Sequence, residues 1–172
     1  MFATSLLPLL SVAGLLSGLT SGVPTKRQEI VPVHGSIVIP SENTGIMPGA
    51  VFDFTFDSVN YCESGYEPIT VWLFEQEPSN DNLTTEGEFA DGSYLNRFGK
   101  WLIPNFGLPA EYPPGPPPAN LTMPDLSTVA EGSLSLSNAT LYLVVVETFM
   151  DCPGGVADEY GITSSPIMYN PA

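Results

Sequence analysis

The sequence predicts an all-β fold, an immunoglobulin-like antiparallel β-sandwich of about seven strands. Three observations carry that expectation. Phe52, Phe54 and Phe56 alternate with Asp53, Thr55 and Asp57, the period of two that marks a half-buried strand. Two uncharged runs, Ile69 to Phe74 (ITVWLF) and Leu141 to Val146 (LYLVVV), have the β-branched and aromatic composition of strands covered on both faces. Finally, 18 Pro and 16 Gly among 172 residues leave little room for long helices.

Residues 1–22 read as a signal peptide. Their apolar stretch, Leu6 to Leu19, is broken by Pro8 and is shorter than the roughly 20 residues a membrane span needs. Small residues from Gly18 to Gly22 offer several cleavage bonds. Residues 23–27 form a short pro-segment ending in Lys26-Arg27, the dibasic pair a kexin-type protease cuts. A single β-sandwich domain is expected over 28–172. Both charges removed with the leader are positive, so the net charge of −15 becomes −17 in the processed chain. Tyr160 to Ala172 offers no apolar tail for a lipid anchor, so a secreted, extracellular protein is expected.

Within the domain, Pro48-Gly49 is a turn signal ahead of the Phe-rich strand. Weaker strand candidates are Gly35 to Ile39, Ser93 to Ile103, Gly132 to Ser137 and Ile162 to Tyr169. Pro78 to Gly92 is polar and turn-rich and reads as an exposed loop. Pro109 to Pro118 holds six prolines in ten residues and predicts an extended polyproline crossover between the two sheets.

The composition excludes several functions. With 19 acidic and 4 basic residues, the chain repels phosphate backbones and anionic lipid surfaces, so neither nucleic acid nor a membrane is an expected partner. One His and two Cys cannot build zinc clusters or haem ligation, and no cofactor is expected. His34 is the sole histidine and no G-x-S-x-G elbow accompanies it, so no catalytic residue is assigned. Arg97 and Lys100 are expected to sit among carboxylates.

In an exported chain Cys62 and Cys152 should pair. Each follows a predicted strand, the second and the sixth of a sandwich, and the loops after those strands share a pole. That pole would gather Glu63, Glu67, Asp151, Asp158 and Glu159 with Tyr61, Tyr66 and Tyr160. Three readings of the cluster stand side by side. It is solvated charge on loops; or tyrosines stack on sugar rings while carboxylates accept sugar hydroxyls; or the carboxylates hold a metal, Ca²⁺, which takes six to eight oxygens. Asn82, Asn120 and Asn138 open N-x-Thr sequons and are candidate N-glycosylation sites.

Ile39-Pro40, Pro48-Gly49, Phe52/Phe54/Phe56, Cys62 and Val71-Trp72-Leu73-Phe74 form a pattern with Asn105-Phe106-Gly107-Leu108-Pro109, Leu141 to Val146, Cys152 and Tyr160 to Pro166. It resembles a group of small secreted proteins of mushroom-forming (basidiomycete) fungi. The resemblance spans most of residues 35–169, implies a fungal source and export, and transfers no functional residue. Together these readings predict a non-enzymatic secreted glycoprotein of the fungal cell wall or its surroundings, with polysaccharide as the candidate partner. A carboxylate-dependent glycan hydrolase and a calcium-binding or purely structural protein are the alternatives. The sequence does not specify oligomeric state.

Overall fold

The computed structural model describes residues 29–128, 137–153 and 157–170. The segments expected as signal peptide and as pro-segment, with Lys26 and Arg27, and the strand candidate Gly132 to Ser137 apart from its last residue, lie outside the described residues. The fold is all-β, and its only helical turns among the described residues are two three-residue 3-10 turns, Asn80–Asn82 and Leu126–Thr128.

Among the described residues, ten strand segments form three sheets: β1 (Glu29–Ile30), β2 (Ser36–Ile39), β3 (Gly45–Ile46), β4 (Val51–Asp53), β5 (Thr55–Asp57), β6 (Tyr66–Phe74), β7 (Asn96–Pro104), β8 (Asn120–Thr122), β9 (Ala139–Phe149) and β10 (Glu159–Tyr169). The main sheet runs β1-β10-β9-β6-β7, and its four long strands are antiparallel neighbours. Its outer edge departs from the antiparallel expectation. β1 pairs parallel with the start of β10 and β3 pairs parallel with its end. Between them β2 leaves the sheet to pair with β5, so the N-terminal segment crosses from one layer to the other and back.

The Phe-rich strand is real but divided. Asp53 is the last residue of β4, which pairs with β8, while Thr55 opens β5, which pairs with β2. At the division, the Phe54 amide donates to the Ala119 carbonyl and its ring is buried. Phe54 and Phe56 share one face, as alternation requires, and pack on Ile69, Val71 and Leu73 of β6 and Leu143 and Val145 of β9.

The other face of β6 and β9 carries Trp72, Phe74, Val144 and Val146, and it is covered as well. Its cover is the 78–94 excursion, which corrects the expectation of an exposed loop. Leu83 and Phe89 from this polar stretch are buried against Trp72 and Phe74, with the Phe89 ring edge-on to both. Arg97 stacks over Trp72 with its carbon 4.9 Å from the ring centre and bonds Glu88 at 2.6 Å, tying the excursion to β7. Two residues in an acidic loop thus supply an apolar lid because the sheet beneath would otherwise expose an indole and a phenyl ring to water.

The proline-rich crossover does connect the main sheet to the second layer, from β7 to β8. It does not run extended. Residues 112–114 form a turn with cis bonds at Tyr112-Pro113 and Pro113-Pro114, and the Gly115 carbonyl accepts from the Leu102 amide, folding the segment back on β7.

Candidate functional site

One end of the molecule is built from the loop after β5, the loop after β7 and the loop after β9. Cys62 and Cys152 are joined there by a disulfide with their Cα atoms 4.7 Å apart. Both cysteines lie beyond their strands, and with Val31 and Phe149 they form a small apolar cluster of their own. Two hydrogen bonds reinforce the bridge. The Ser64 hydroxyl donates to the Met150 carbonyl at 2.5 Å, and the Asn105 amide donates to the Ser64 carbonyl at 3.0 Å. All three loops are therefore locked to one another.

The predicted pole residues divide into two groups. Tyr61, Glu63, Asp151 and Asp158 are exposed, and Tyr66 and Glu159 are half-buried. Tyr61 is 48% exposed, yet its ring is held edge-on against Phe149 with centroids 5.5 Å apart. Glu63 and Asp151 adopt the left-handed conformation (φ of 55° and 59°), so both occupy tight turns beside their cysteines. Tyr66 donates its hydroxyl to the Pro109 carbonyl at 2.9 Å. An open depression of about 340 Å³ lies among Tyr61, the disulfide, Pro153 and Glu159.

Two residues depart from the expected pole. Tyr160 is only 3% exposed and belongs to the Trp72 face of the sheet. Gly87, at φ of 74°, makes room for it: a side-chain carbon there would fall 2.0 Å from the Tyr160 ring. Burial pushes the Tyr160 phenol above its ordinary value, helped by Asp158 and Glu86. Glu67 is also buried, at 1% exposure, because β6 begins at Tyr66 and carries Glu67 into the interior of the fold.

There Glu67 meets Glu147 of β9, whose exposure is 0%. Glu147 lies directly across from Ile69, which makes Glu67 its diagonal neighbour on the same face. Glu147 accepts from two backbone amides of the opposite layer, Gly35 at 2.5 Å and Val59 at 3.3 Å. Neither oxygen of Glu67 meets a donor at hydrogen-bond geometry. Burial raises both carboxyls. Loss of water, opposed by the Gly35 amide and reinforced by the adjoining Glu67, pushes Glu147 up to about 8.

Sequence reading missed the strongest display of apolar surface at this pole. Phe106 is 73% exposed at the tip of a tight turn, with φ of 53° followed by Gly107 at 71° and the Leu108 amide bonded to the Asn105 carbonyl. Left-handed backbone is uncommon for an aromatic residue. The available signal was Asn-Phe-Gly, a turn sequence with a bulky residue where a polar one is usual. Leu108 rests on Gly65, so this turn adjoins the Cys62 loop.

The remaining candidates fall elsewhere. His34 is exposed, with its Nδ1 2.8 Å from the Gly35 carbonyl and 3.2 Å from the Thr163 hydroxyl. Asn82, Asn120 and Asn138 are all exposed, as a glycan acceptor must be. Asn82 closes a 3-10 turn by accepting from Ser79, and Asn120 donates to Asp53 at 2.6 Å. At metal-ligand spacing, the grouping found among the described residues is Cys62, Cys152 and Glu159. Disulfide sulfurs are not thiolates, which leaves one carboxylate, far short of a calcium shell. Comparison with known proteins finds no family model, no curated protein and no solved structure that matches this chain.

Proposed function

We propose that the chain is a secreted, non-enzymatic, immunoglobulin-like sandwich protein of a fungal cell wall or its surroundings, which binds polysaccharide at the Cys62/Cys152 pole. The observation that carries the reading is the placement of Tyr61: an exposed ring held edge-on by Phe149, beside an open depression with a carboxylate, Glu159, on its rim. A ring held in place loses little freedom on stacking against a sugar, and the carboxylate accepts sugar hydroxyls. The strand order supports the sandwich assignment. β10-β9-β6-β7 with a parallel N-terminal edge follows the G-F-C-C′ sheet of variable-type domains, and β2-β5 and β4-β8 supply the opposing layer. The disulfide favours an oxidising compartment.

The hydrolase alternative loses support from burial. Among the described residues, the carboxyl pair whose proton affinity burial raises, Glu67 and Glu147, is sealed in the interior where no polysaccharide reaches it. Retention on chitin, β-glucan and mannan tests the proposal. Wild type should be retained on at least one, Tyr61→Ala should lose at least tenfold in retention, and Tyr112→Ala, an exposed tyrosine of the proline-rich turn, should not. Absence of retention on all three, or retention indifferent to Tyr61→Ala, overturns it.

A further inference from the structure

We propose that Glu67 and Glu147 share one proton and form a pH-operated latch, which holds the loop after β5 and the Gly35 segment against the main sheet in acid and releases them as the medium turns alkaline. The proposal goes beyond polysaccharide binding and does not require it.

The geometry comes first. Glu147 is anchored in the middle of the four-strand core, between Val146 and Thr148, both paired to β10. From there it reaches the opposing layer and takes the amides of Gly35 and Val59, which belong to different segments of that layer. Its carboxylate thus makes two cross-layer bonds from one side chain. Glu67 stands beside it with both oxygens buried and without a donor of suitable geometry. Two ionised carboxylates in contact inside a dry sandwich repel strongly, and each lacks the water that would stabilise its charge. One proton held between them removes the repulsion and supplies the donor Glu67 lacks.

Among the described residues, the groups facing the pair offer no competing counter-charge. Burial raises Glu67, and Glu147 itself, Ser58 and the Asn60 backbone from the loop after β5, and the Asn105 side chain from the loop after β7 act against that rise. From the segment before β2 come the Gly35 amide and its neighbour His34, whose ring turns to the Gly35 carbonyl and Thr163. Arg97 is engaged by Glu88. Lys100 is exposed and pairs with Thr70, whose hydroxyl accepts from the Trp72 indole on the far face of the sheet. Proton sharing is the compensation these residues permit.

The sign of the effect follows from linkage. The pair binds its proton more tightly in the native protein than in the unfolded chain, whose glutamates titrate near 4.5. Its contribution to stability is therefore complete in acid, and drains away as pH rises from that ordinary value through about 8. Above that, the proton leaves to solvent, two negative charges remain in contact, and the nearest relief is entry of water by displacement of the Ser58–Asn60 loop. That loop leads directly to Tyr61 and Cys62, so alkaline release loosens the exposed pole as well.

Amide exchange by NMR on the full processed chain tests the latch without any polysaccharide. Protection of the Gly35 and Val59 amides, taken relative to Val144 in the centre of β9, should fall at least tenfold between pH 5 and pH 8.5. Glu67→Gln keeps a hydrogen-bonding side chain and removes one charge, and it should hold that ratio flat over the range. Carboxyl-carbon titration of the wild type provides a second readout should the variant fold poorly. One proton retained by the pair above pH 7 supports the latch. Two carboxyls titrating near the ordinary value, a flat wild-type protection ratio, or a Glu67→Gln ratio that falls like wild type overturns it. Failure of the polysaccharide retention assay leaves these readouts untouched, and failure here leaves that assay untouched.

Discussion

Two sets of carboxylates occupy the same end of this molecule in opposite surroundings. Glu63, Asp151 and Asp158 stand in water on the loops around the disulfide. Glu67 and Glu147 lie in the interior of the fold and are closed off from solvent. In the first set, charge is screened by solvent, and Glu63 and Asp151 serve as turn residues with solvated heads. In the second, the same functional group must share a proton and align backbone amides to be tolerated. The contrast shows that an excess of negative charge is not one property of this chain. Most of it is surface character, and a small buried part spans the two layers of the fold.

The largest expected effect concerns the bridge that joins the loops at this end. Replacing Cys62 and Cys152 together by alanine opens a separation of 90 residues and should cost about 4–5 kcal/mol in denaturant unfolding. A loss below about 1 kcal/mol would show that Ser64–Met150 and Asn105–Ser64 hold the pole by themselves. Next in size is Glu147→Ala, which strands the Gly35 and Val59 amides. It should cost about 2–4 kcal/mol at pH 5, and distinctly less at pH 8.5, where the wild type already bears the charge repulsion. Equal losses at the two pH values would dissolve the distinction between the dry and the wet acids. The smallest effect belongs to the exposed set: Glu63→Gln with Asp151→Asn should shift stability by no more than about 0.5 kcal/mol at either pH. A larger shift, or one that depends on pH as Glu147→Ala does, would mean that the wet acids also act on the fold.

The buried pair also shows how near the sequence came to disclosing itself. Ile69, Val71 and Leu73 point into the core, and stepping back two residues from Ile69 along the same parity arrives at Glu67. Val145, Glu147 and Phe149 likewise share one parity in β9. Grouping Glu67 with the loop after Cys62, and ending the apolar run at Val146, concealed both, because a charged residue usually marks the place where a strand meets solvent. Tyr160 was misplaced for a related reason. It adjoins Asp158 and Glu159 in sequence, yet strand alternation turns it to the opposite side of the sheet, beneath Gly87.

Local pattern alone specified the all-β class, the positions of the long strands β6, β9 and β10, the pairing of the two cysteines and the acidic surface. Each of these follows from alternation, β-branched composition or redox chemistry, which act within a few residues or regardless of where the chain travels. Tertiary structure decided the rest: the division of the Phe-rich strand between two partners, the parallel returns of β1 and β3 to β10, the apolar lid hidden in an acidic loop, and the meeting of Glu67 with Glu147. These depend on which distant segment supplies the missing hydrogen bond or covers the exposed ring, and that is settled only when the two layers close on each other.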